Sequence, residues 1–260
     1  MSLYSLLGRI AIVTGASRRA GIGAATCQAL AEAGADIFFT YLNAYDAEMP
    51  WGVDSDGPEA LKTAIEKLGV RCRGFEVNQA EPESAAIIID RVEEELGKAA
   101  ILVNNATYSV DADYQTLNAQ LLDAHYAINM RGRMLLSVEF ARRYKGGPEG
   151  RIINLTSGQA LGPMPGELPY IATKGAVEAF TTSLAAGVAE KGITVNAVNP
   201  GPTDTGWMTE EIKQAILPRF PQGRIGQPGD VARLIAFLAS DAAQWITGQV
   251  IHSEGGFRRG

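Results

Sequence analysis

Short apolar runs alternate with longer segments of helical periodicity along nearly the whole chain. The apolar runs predict strands at 10–13, 37–40, 72–77, 101–103, 151–155, 194–198 and 249–252. Helical periodicity predicts helices at 22–33, 58–68, 81–96, 117–144, 170–190 and 231–240. Strands that are apolar throughout and alternate with helices are typical of a parallel sheet covered on both faces. We therefore predict an α/β fold with a mostly parallel sheet and helices on both faces.

Two segments interrupt this alternation. Residues 41–57 are rich in turn formers and predict an extended loop, whereas residues 206–227 form a long excursion with a short predicted helix. Neither segment has the composition of a linker, and no internal repeat divides the chain. We expect residues 1–260 to form one domain that carries the 206–227 excursion.

Charge and composition exclude several classes of protein. The chain has 23 basic and 29 acidic residues, a net charge of −6, which argues against a nucleic-acid-binding surface. No apolar run approaches the roughly 18–20 residues of a membrane helix, and the first residues lack the pattern of a leader peptide, so the cytoplasm is the expected location. Cys27 and Cys72 lie in apolar stretches and are expected to be buried thiols. With two histidines and two cysteines, no metal site is expected.

Three glycines, Gly15, Gly21 and Gly23, lie between the first predicted strand and its helix. Glycine at such positions permits a tight turn and lets a ligand approach the backbone where a Cβ would clash. The N-terminus of the following helix directs free N–H groups at a pyrophosphate. The strand–turn–helix context therefore favours a dinucleotide site over an ordinary connecting loop.

Side chains near this turn bear on which dinucleotide is bound. An NAD site usually has a carboxylate at the end of the second strand, where it binds the ribose 2′-hydroxyl. Here residues 40–43 contain no acid, and the first one is Asp46. Arg18 and Arg19, in the glycine turn, are suited to pair with a 2′-phosphate. NADP(H) is therefore favoured over NAD(H), with two solvated loop arginines as the alternative interpretation.

A second candidate site is the pair Tyr170 and Lys174, which are four residues apart and share one face of a helix. Pro169 suits the first helical turn, which places Tyr170 near the helix N-terminus. There the helix dipole and the lysine ammonium both favour the phenolate, and so lower a tyrosine pKa that is ~10 when unperturbed. Such pairs also arise by chance on many helices, so this pair alone is weak evidence for catalysis.

Further motifs accompany the glycine turn and the Tyr–Lys pair. In chain order they are Asn104-Asn105-Ala106, Asn129, Ser157, Pro200-Gly201 and residues 246–249. With Ser157 thirteen residues before Tyr170, this order resembles the short-chain dehydrogenase/reductase family over nearly the whole chain. The resemblance implies a single-domain Rossmann fold with a doubly wound, seven-stranded parallel sheet. Asn78 and the segment 251–256 are similar to the 3-oxoacyl-[acyl-carrier-protein] reductase branch.

Two positions depart from the family pattern. Five residues, 16–20, separate the first two glycines where the family usually has three, so Arg19 and Ala20 look inserted. A looser or longer pyrophosphate contact is therefore expected. Thr107 stands where the family usually has a glycine, a change that affects packing near the cofactor rather than the proton chemistry.

The resemblance implies hydride transfer between a nicotinamide and a carbonyl or secondary alcohol carbon. Tyr170 is then the general acid or base, and Ser157 donates a hydrogen bond to the substrate oxygen. Lys174 lowers the Tyr170 pKa and holds the nicotinamide ribose, and Asn129 orders a water that relays protons to Lys174. The implied cofactor-binding residues are Gly15, Ser17, Arg18, Arg19, Gly21, Ile22, Gly23, Tyr41, Asn78, Asn105, Ala106, Tyr170, Lys174, Pro200, Gly201, Thr203 and Thr205.

Loops at the carboxyl ends of the strands are expected to bind the substrate. The tentative contacts are Gln159, Met164, Trp207 and Met208. The spacing of apolar residues in 206–227 fits two interpretations about equally well. The segment is either a lid over an apolar substrate or a helix that packs permanently on the body of the protein. Segment 41–57 is expected to be a plain surface excursion, with cofactor shaping or an oligomer contact as alternatives.

The leading hypothesis is an NADP(H)-dependent carbonyl reductase or alcohol dehydrogenase, with 3-oxoacyl thioesters as the first substrate to test. A reductase of another ketone, such as a sugar, steroid or secondary metabolite, is the alternative. A non-catalytic nucleotide-sensing protein is disfavoured because all four catalytic positions are filled. The resemblance also implies a homotetramer built on helices 117–144 and 170–190, and neither nucleic acid nor a membrane is expected as a partner.

Overall fold

The computed structural model describes residues 2–145, 147 and 149–259. Its strands are β1 (Ile10–Val13), β2 (Asp36–Tyr41), β3 (Cys72–Glu76), β4 (Ile101–Asn104), β5 (Gly150–Leu155), β6 (Ile193–Asn199) and β7 (Val250–His252). All neighbouring strands are parallel, in the order β3-β2-β1-β4-β5-β6-β7. The order reverses at β1 and β4, and in such sheets ligands bind beyond the carboxyl ends of the strands at this point. The predicted α/β fold with a seven-stranded, doubly wound parallel sheet is confirmed.

Helices cover both faces of the sheet. They are α1 (Ile22–Glu32), α2 (Asn43–Ala47), α3 (Gly57–Glu66), α4 (Ser84–Glu95), α5 (Ala119–His125), α6 (Arg133–Arg143), α7 (Leu168–Val188), α8 (Glu210–Ile216) and α9 (Pro228–Ala239). Within the described ranges, no helix combines the length and apolar character needed to cross a bilayer.

The two faces of the sheet bury separate apolar clusters, because successive residues of a strand point to opposite sides. Ala11 and Val13 pack on the side of α1 and α9, where Leu30 and Ile235 are fully buried. Ile12 packs on the other side, against side chains of α4, α6 and α7. Fully burying an aliphatic side chain of this size stabilises the fold by about 1.5–3 kcal/mol. Both faces are therefore closed, and the strand ends are left to bind ligands.

Both cysteines are buried free thiols, as the sequence predicts. Burial raises the pKa of Cys27 and raises that of Cys72 to about 12, so neither is a thiolate at neutral pH.

Segment 41–57 is not the extended loop that its turn-forming residues predict, because it contains α2. Asp46 of α2 is buried and accepts a hydrogen bond from the Trp51 indole at 2.9 Å. This contact lies within the segment, but the burial of Asp46 depends on the rest of the fold, so local propensity did not reveal the helix.

The segment predicted as one helix, 117–144, is helical from 119 to 143, but the type of helix changes along it. It consists of α5, a π-helical segment at Tyr126–Gly132, and α6. π-helical stretches commonly mark functional positions. This one contains Asn129, whose side chain is held by Tyr108 and Thr173 from outside the helix.

The N-terminus of α9 is joined to the end of the 206–227 excursion through Asp230. Its carboxylate accepts two hydrogen bonds from Arg224, at 2.6 and 2.9 Å, and one from the backbone N–H of Gln227 at 2.9 Å. The Arg224 guanidinium is the main cause that lowers the pKa of Asp230 to about 2.

We expect Asp230→Asn to lower the free energy of unfolding by ~0.5–2 kcal/mol at neutral pH, because it removes the carboxylate charge that binds the Gln227 N–H and Arg224 at the start of α9. Since the folded pKa is depressed, this stabilisation is present above the unfolded carboxylate pKa of ~3.9 and is lost as pH falls towards about 2. Urea unfolding of both proteins at pH 7 and pH 2.5 measures the difference. Glu59→Gln, at an exposed pair with Lys62, is the control with little expected effect. An Asp230→Asn deficit of equal size at both pH values would contradict the assignment.

Candidate active site

The glycine turn packs so closely that side chains are excluded from it. Gly15 has φ +73°, and a Cβ there would lie 2.6 Å from the Ala106 Cα. A Cβ on Gly23 would overlap the Gly15 carbonyl and would lie 2.9 Å from the Ala16 Cα. Gly21 precedes α1 without a side-chain cap, so the first-turn N–H groups face the turn. Such a cradle fits the pyrophosphate of a dinucleotide.

The end of β4 braces the glycine turn. Asn105 Nδ2 donates to the carbonyl oxygens of Thr14 and Gly15 at 2.9 and 2.8 Å. Thr14 Oγ1 in turn accepts from the backbone N–H groups of Asn105 and Ala106. These bonds hold the turn in place at the switch point of the sheet.

A cleft runs from the glycine turn over the ends of β2, β3 and β4. The predicted cofactor residues that line it are Gly15, Ser17, Arg18, Gly21, Ile22, Gly23, Tyr41, Asn105, Ala106 and Thr205. Tyr45, Asp46, Gln79 and Ile128 also line it, and motif reasoning missed them. Nothing in their local sequence signals the cleft, because they reach it through the arrangement of α2, β3 and the π-helical segment.

Arg18 and Arg19 have different surroundings. Arg18 lines the cleft, donates to the Thr205 carbonyl at 3.0 Å, and lies with its guanidinium 4.3 Å from the Trp51 ring centroid. Its Nε is 3.6 Å from Asp46 Oδ1. Arg19 is instead an exposed residue that forms a two-bond ion pair with Asp54, at 2.9 and 2.8 Å. The sequence placed both arginines at the cofactor, but of the two only Arg18 lines the cleft.

These contacts also bear on segment 41–57. Asp46, Trp51 and Asp54 all contact the glycine-turn arginines. The segment therefore packs on the glycine turn, and the expected plain surface excursion is wrong.

Four other predicted cofactor residues are not among those that line the cleft, namely Asn78, Pro200, Gly201 and Thr203. Asn78 accepts from the Ala80 N–H and donates to Glu81, so its side chain shapes the loop before α4. Gly201 has φ +64°, and a Cβ there would overlap the Glu254 side chain. Thr203 donates to the carbonyl oxygens of Pro200 and Gly201. Pro200, Gly201 and Thr203 shape the backbone segment that leads to Thr205, which lines the cleft.

Ser157 and Lys174 are both close enough to Tyr170 to interact with it. Lys174 Nζ is 5.2 Å from the Tyr170 ring centroid and donates to the Leu155 carbonyl at 3.0 Å. Burial, together with the charge of Glu167, raises the pKa of Tyr170 to about 12, although the Ser157 hydrogen bond lowers it. The three predicted residues are therefore brought together at the end of β5 and the start of α7.

The electrostatics of this group differ from the sequence prediction. Burial holds the pKa of Lys174 well below its usual value, and the Arg133 guanidinium lowers it further. The positive charge that lowers the pKa of Tyr170 comes from Arg133. Sequence reasoning missed Arg133, whose only signal is its position four residues after Asn129 on the same helical face.

Asn129 is buried and its side chain is fully occupied by the protein. Its Oδ1 accepts from Tyr108 N–H at 2.8 Å and from Thr107 Oγ1 at 3.0 Å. Its Nδ2 donates to the Tyr108 carbonyl at 2.9 Å and to Thr173 Oγ1 at 3.1 Å. The side chain thus joins the π-helical segment to the β4 loop and α7. A relay water on this residue would have to bind its backbone, so that role stays a prediction.

The four tentative substrate residues also separate into two groups. Gln159 donates to Glu178 at 2.7 Å, and Met208 is buried, so both are engaged within the protein. Met164 is partly exposed, and Trp207 is 46% exposed with its indole donating to the Thr203 carbonyl. Trp207 and Met164 therefore keep surface that a substrate can contact.

The chain is similar to known proteins over nearly its whole length. Residues 15–258 match the family model described as enoyl-(acyl carrier protein) reductase. The uncharacterized oxidoreductase YjdA of Bacillus subtilis (strain 168) is 53% identical over 254 residues, covering 97% of this chain and 98% of that protein. The NADPH-dependent aldehyde reductase-like chloroplastic protein of Arabidopsis thaliana is 37% identical over 260 residues, covering 97% and 95%.

A solved structure has the same fold over nearly its full length. The short chain dehydrogenase of Burkholderia cenocepacia J2315, in complex with NADP, matches with a TM-score of 0.86 and 34% identity, covering 96% of this chain and 98% of that one. The chain belongs to the short-chain dehydrogenase/reductase family and is an oxidoreductase.

We expect Gly23→Ala to weaken NADPH binding by about tenfold or more, a cost of ~1.4 kcal/mol, because the methyl group fills the cradle. Titration of NADPH fluorescence measures the affinity. Gly187→Ala is the matched control, since a Cβ at that helical position meets no atom within 4 Å. It should keep the affinity and raise stability by ~0.4–1 kcal/mol. Equal NADPH affinity in the two variants would show that the cradle does not contact the dinucleotide.

Proposed function

We propose that this protein transfers hydride between NADP(H) and a carbonyl or secondary alcohol carbon, with Tyr170 as general acid in reduction and general base in oxidation. The observation that carries the proposal is the position of Tyr170 between Ser157, whose hydroxyl lowers the Tyr170 pKa, and the buried Lys174, whose Nζ is 5.2 Å from the Tyr170 ring centroid. This group lies beyond the carboxyl end of β5, next to the dinucleotide cleft. Ligands of open α/β sheets bind at this edge.

NADP(H) is the cofactor. A similar structure is in complex with NADP, and one relative is named as NADPH-dependent. In this chain the cleft has a lining arginine, Arg18, and the end of β2 lacks an acid until Asp46. When bound, the cofactor donates or accepts the hydride, while the protein positions the reactants and manages one proton.

The protonation state of Tyr170 suits reduction at neutral pH. Because its pKa is raised to about 12, the phenol is protonated and available to a developing alkoxide. Ser157 is proposed to donate a hydrogen bond to the same oxygen and so stabilise its charge. Lys174 donates a hydrogen bond to the Leu155 carbonyl at the end of β5, and its Nζ is 5.2 Å from the Tyr170 ring centroid. Lys174 is also proposed to hold the nicotinamide ribose.

The best substrate candidate is a 3-oxoacyl thioester. The matched family model is named for a reaction on an acyl carrier substrate, and the motifs resemble the 3-oxoacyl reductase branch. The 206–227 excursion supports an apolar substrate. No side chain of α8 is fully buried in the described structure, and Trp207 is half exposed beside it. Reduction of another ketone or an aldehyde is the second candidate, which the name of the Arabidopsis relative favours.

Assembly as a homotetramer is part of the same proposal. Leu122, Tyr126 and Leu135 are exposed apolar residues on α5, the π-helical segment and α6. Apolar surface on one helical unit is suited to pack against a second copy. A cytoplasmic location stays a prediction.

The first test is NADPH oxidation with a panel containing an acetoacetyl thioester, a ketosugar, a steroid ketone and an aldehyde. We expect Tyr170→Phe to lower the rate on the best substrate by about 10²-fold or more, because it removes the general acid. NADPH affinity should change little, since the ring is retained.

The outcomes of the panel separate the hypotheses. A Tyr170→Phe rate within about tenfold of the original would contradict the role of Tyr170, because general acid catalysis contributes more than that. Tight NADPH binding without turnover of any substrate would favour a nucleotide-sensing protein.

A second test concerns the choice of dinucleotide. We expect Arg18→Gln to weaken NADPH binding by about tenfold or more while NADH binding changes little, because a charge-assisted bond to the 2′-phosphate is lost. Arg19→Gln is the matched control, since Arg19 is paired with Asp54 outside the cleft. Fluorescence titrations with both cofactors provide the measurement. If Arg19→Gln has the larger effect, the 2′-phosphate binds elsewhere on the turn.

A further inference from the structure

Residues 253–259, which follow β7, fold back across the edge of the sheet where the strands end. The Ser253 N–H donates to the Asn199 carbonyl at 2.8 Å, at the end of β6. Gly255 and Gly256 have φ values of +60° and +73°, a conformation that glycine adopts readily and that reverses the chain. The backbone therefore keeps this segment at the carboxyl ends of the strands.

Glu254 anchors the segment to the end of β6. Its carboxylate accepts a hydrogen bond from Asn199 Nδ2 at 2.9 Å, and Asn199 is fully buried. A Cβ on Gly201 would overlap the Glu254 side chain, so the backbone after β6 and this side chain are in close contact. The Glu254 side chain is only 12% exposed. A carboxylate that is desolvated to this extent needs a fixed partner.

Arg259 is that partner. Its Nη1 and Nη2 donate to the two carboxylate oxygens of Glu254, at 2.8 and 2.7 Å. A bidentate pair of this kind fixes the plane of the guanidinium as well as its position. The guanidinium is also 5.3 Å from the Phe257 ring centroid. Arg259 is therefore held in one orientation by its own segment.

The Arg259 side chain fills the inner side of the turn 158–162. A Cβ on Gly158 would overlap the guanidinium, and a Cβ on Gly162 would lie 3.0 Å from Arg259 Cδ. The turn is closed by the Leu161 N–H, which donates to the Gly158 carbonyl at 2.9 Å. Gly158 does not have a positive φ, so a glycine is needed there because of the arginine rather than because of backbone conformation.

Ser157 directly precedes this turn. Thr156 Oγ1 donates to the Lys174 carbonyl at 3.2 Å, and Gln159 donates to Glu178 at 2.7 Å, so α7 already holds the two residues on either side of Ser157 and Gly158. Arg259 adds a contact from a distant part of the chain. A hydrogen-bond donor stabilises developing charge best when it is held in place before the reaction.

We propose that Arg259 is a positioning residue for Ser157, on which it acts through the backbone of Gly158. The inference rests on the proposed function, in which the Ser157 hydroxyl donates to the substrate oxygen. Arg259 is paired with Glu254 and packed against the turn, so it fixes where that hydroxyl lies and does not bind the substrate.

The kinetic test is a double-mutant cycle between Arg259 and Ser157, with NADPH and the panel carbonyl that is reduced fastest, beginning with the acetoacetyl thioester. We expect Ser157→Ala to lower kcat about 10²-fold, because one donor to the oxyanion is lost. Arg259→Met should lower kcat about tenfold, since the donor remains but is less well placed. The affinity for NADPH should not change.

The second arm of the cycle separates positioning from a general loss of structure. In the Ser157→Ala background, Arg259→Met should change kcat by less than about twofold, because residues that act as one unit are not additive. An equal loss of kcat in both backgrounds overturns the proposal.

Two substitutions calibrate the effect of Arg259→Met. Arg259→Lys should recover part of the lost kcat, because lysine keeps the charge but not the bidentate geometry. Arg258→Met is the matched control and should keep the original kcat. Arg258 is exposed, and its contact with Arg219 is made by its backbone N–H, which donates to the Arg219 carbonyl at 2.9 Å. Equal losses in Arg258→Met and Arg259→Met would contradict the assignment.

A change on the turn tests the same contact from its other side. Gly158→Ala places a methyl group where the guanidinium lies, and it should lower kcat as much as Arg259→Met does. The two losses should not add, since each disrupts the same contact. Gly166→Ala is the control, because a Cβ at that position meets no atom within 4 Å. Full activity of Gly158→Ala would show that Arg259 does not position Ser157.

Hydrogen exchange, followed by mass spectrometry in the full chain, distinguishes failure of this inference from failure of the proposed function. Arg259→Met should speed exchange in peptides covering 157–162, because the turn loses its packing. Unchanged exchange there refutes the positioning role whatever the kinetics show. If Ser157→Ala instead keeps the full rate, the proposed role of Ser157 fails and the catalytic part of the inference fails with it, whereas faster exchange would still show that Arg259 holds the turn.

Discussion

Burial of both faces of the parallel sheet confines ligand binding to one edge. The helices close the two sides over fully apolar strands, so the carboxyl ends of β1, β4 and β5 are the places where backbone and polar side chains can meet a ligand. The glycine turn follows β1, the Asn105 brace follows β4, and Ser157 follows β5. The glycine turn and the residues proposed to transfer a proton therefore share one surface, because the strands share one direction.

The glycine turn after β1 packs closely against the end of β4, and this contact has a second consequence. Because Gly15 and Gly23 leave no room for a Cβ, the turn and the β4 end form one rigid unit tied by Thr14 and Asn105. The two additional residues in this turn, Arg19 and Ala20, are exposed. They extend outward, where Arg19 pairs with Asp54 and segment 41–57 packs against Arg18. The departure from the family pattern is thus accommodated by a contact that the family motif does not include.

Charge is arranged differently from the pattern that the Tyr–Lys pair suggests. Lys174 is buried against the Leu155 carbonyl, and a second cation, Arg133, donates to the same oxygen. In a site of low dielectric, an arginine holds its proton better than a lysine does. A cation other than the lysine over its ring therefore also lowers the pKa of Tyr170.

The sequence by itself determined the succession of strands and helices along the chain, the parallel sheet, the glycine turn and the pair Tyr170 and Lys174, whereas Ser157 was identified through the family resemblance. These features are local in the chain, because apolar periodicity, glycine spacing and four-residue helical spacing are each read within a few residues. Tertiary structure alone decided that α2 forms and packs on the turn, that Arg18 rather than Arg19 lines the cleft, and that Arg133 is buried beside Tyr170. An arginine in an amphipathic helix is usually solvated, and its burial depends on carbonyl oxygens at positions 106 and 155, which are distant in the chain.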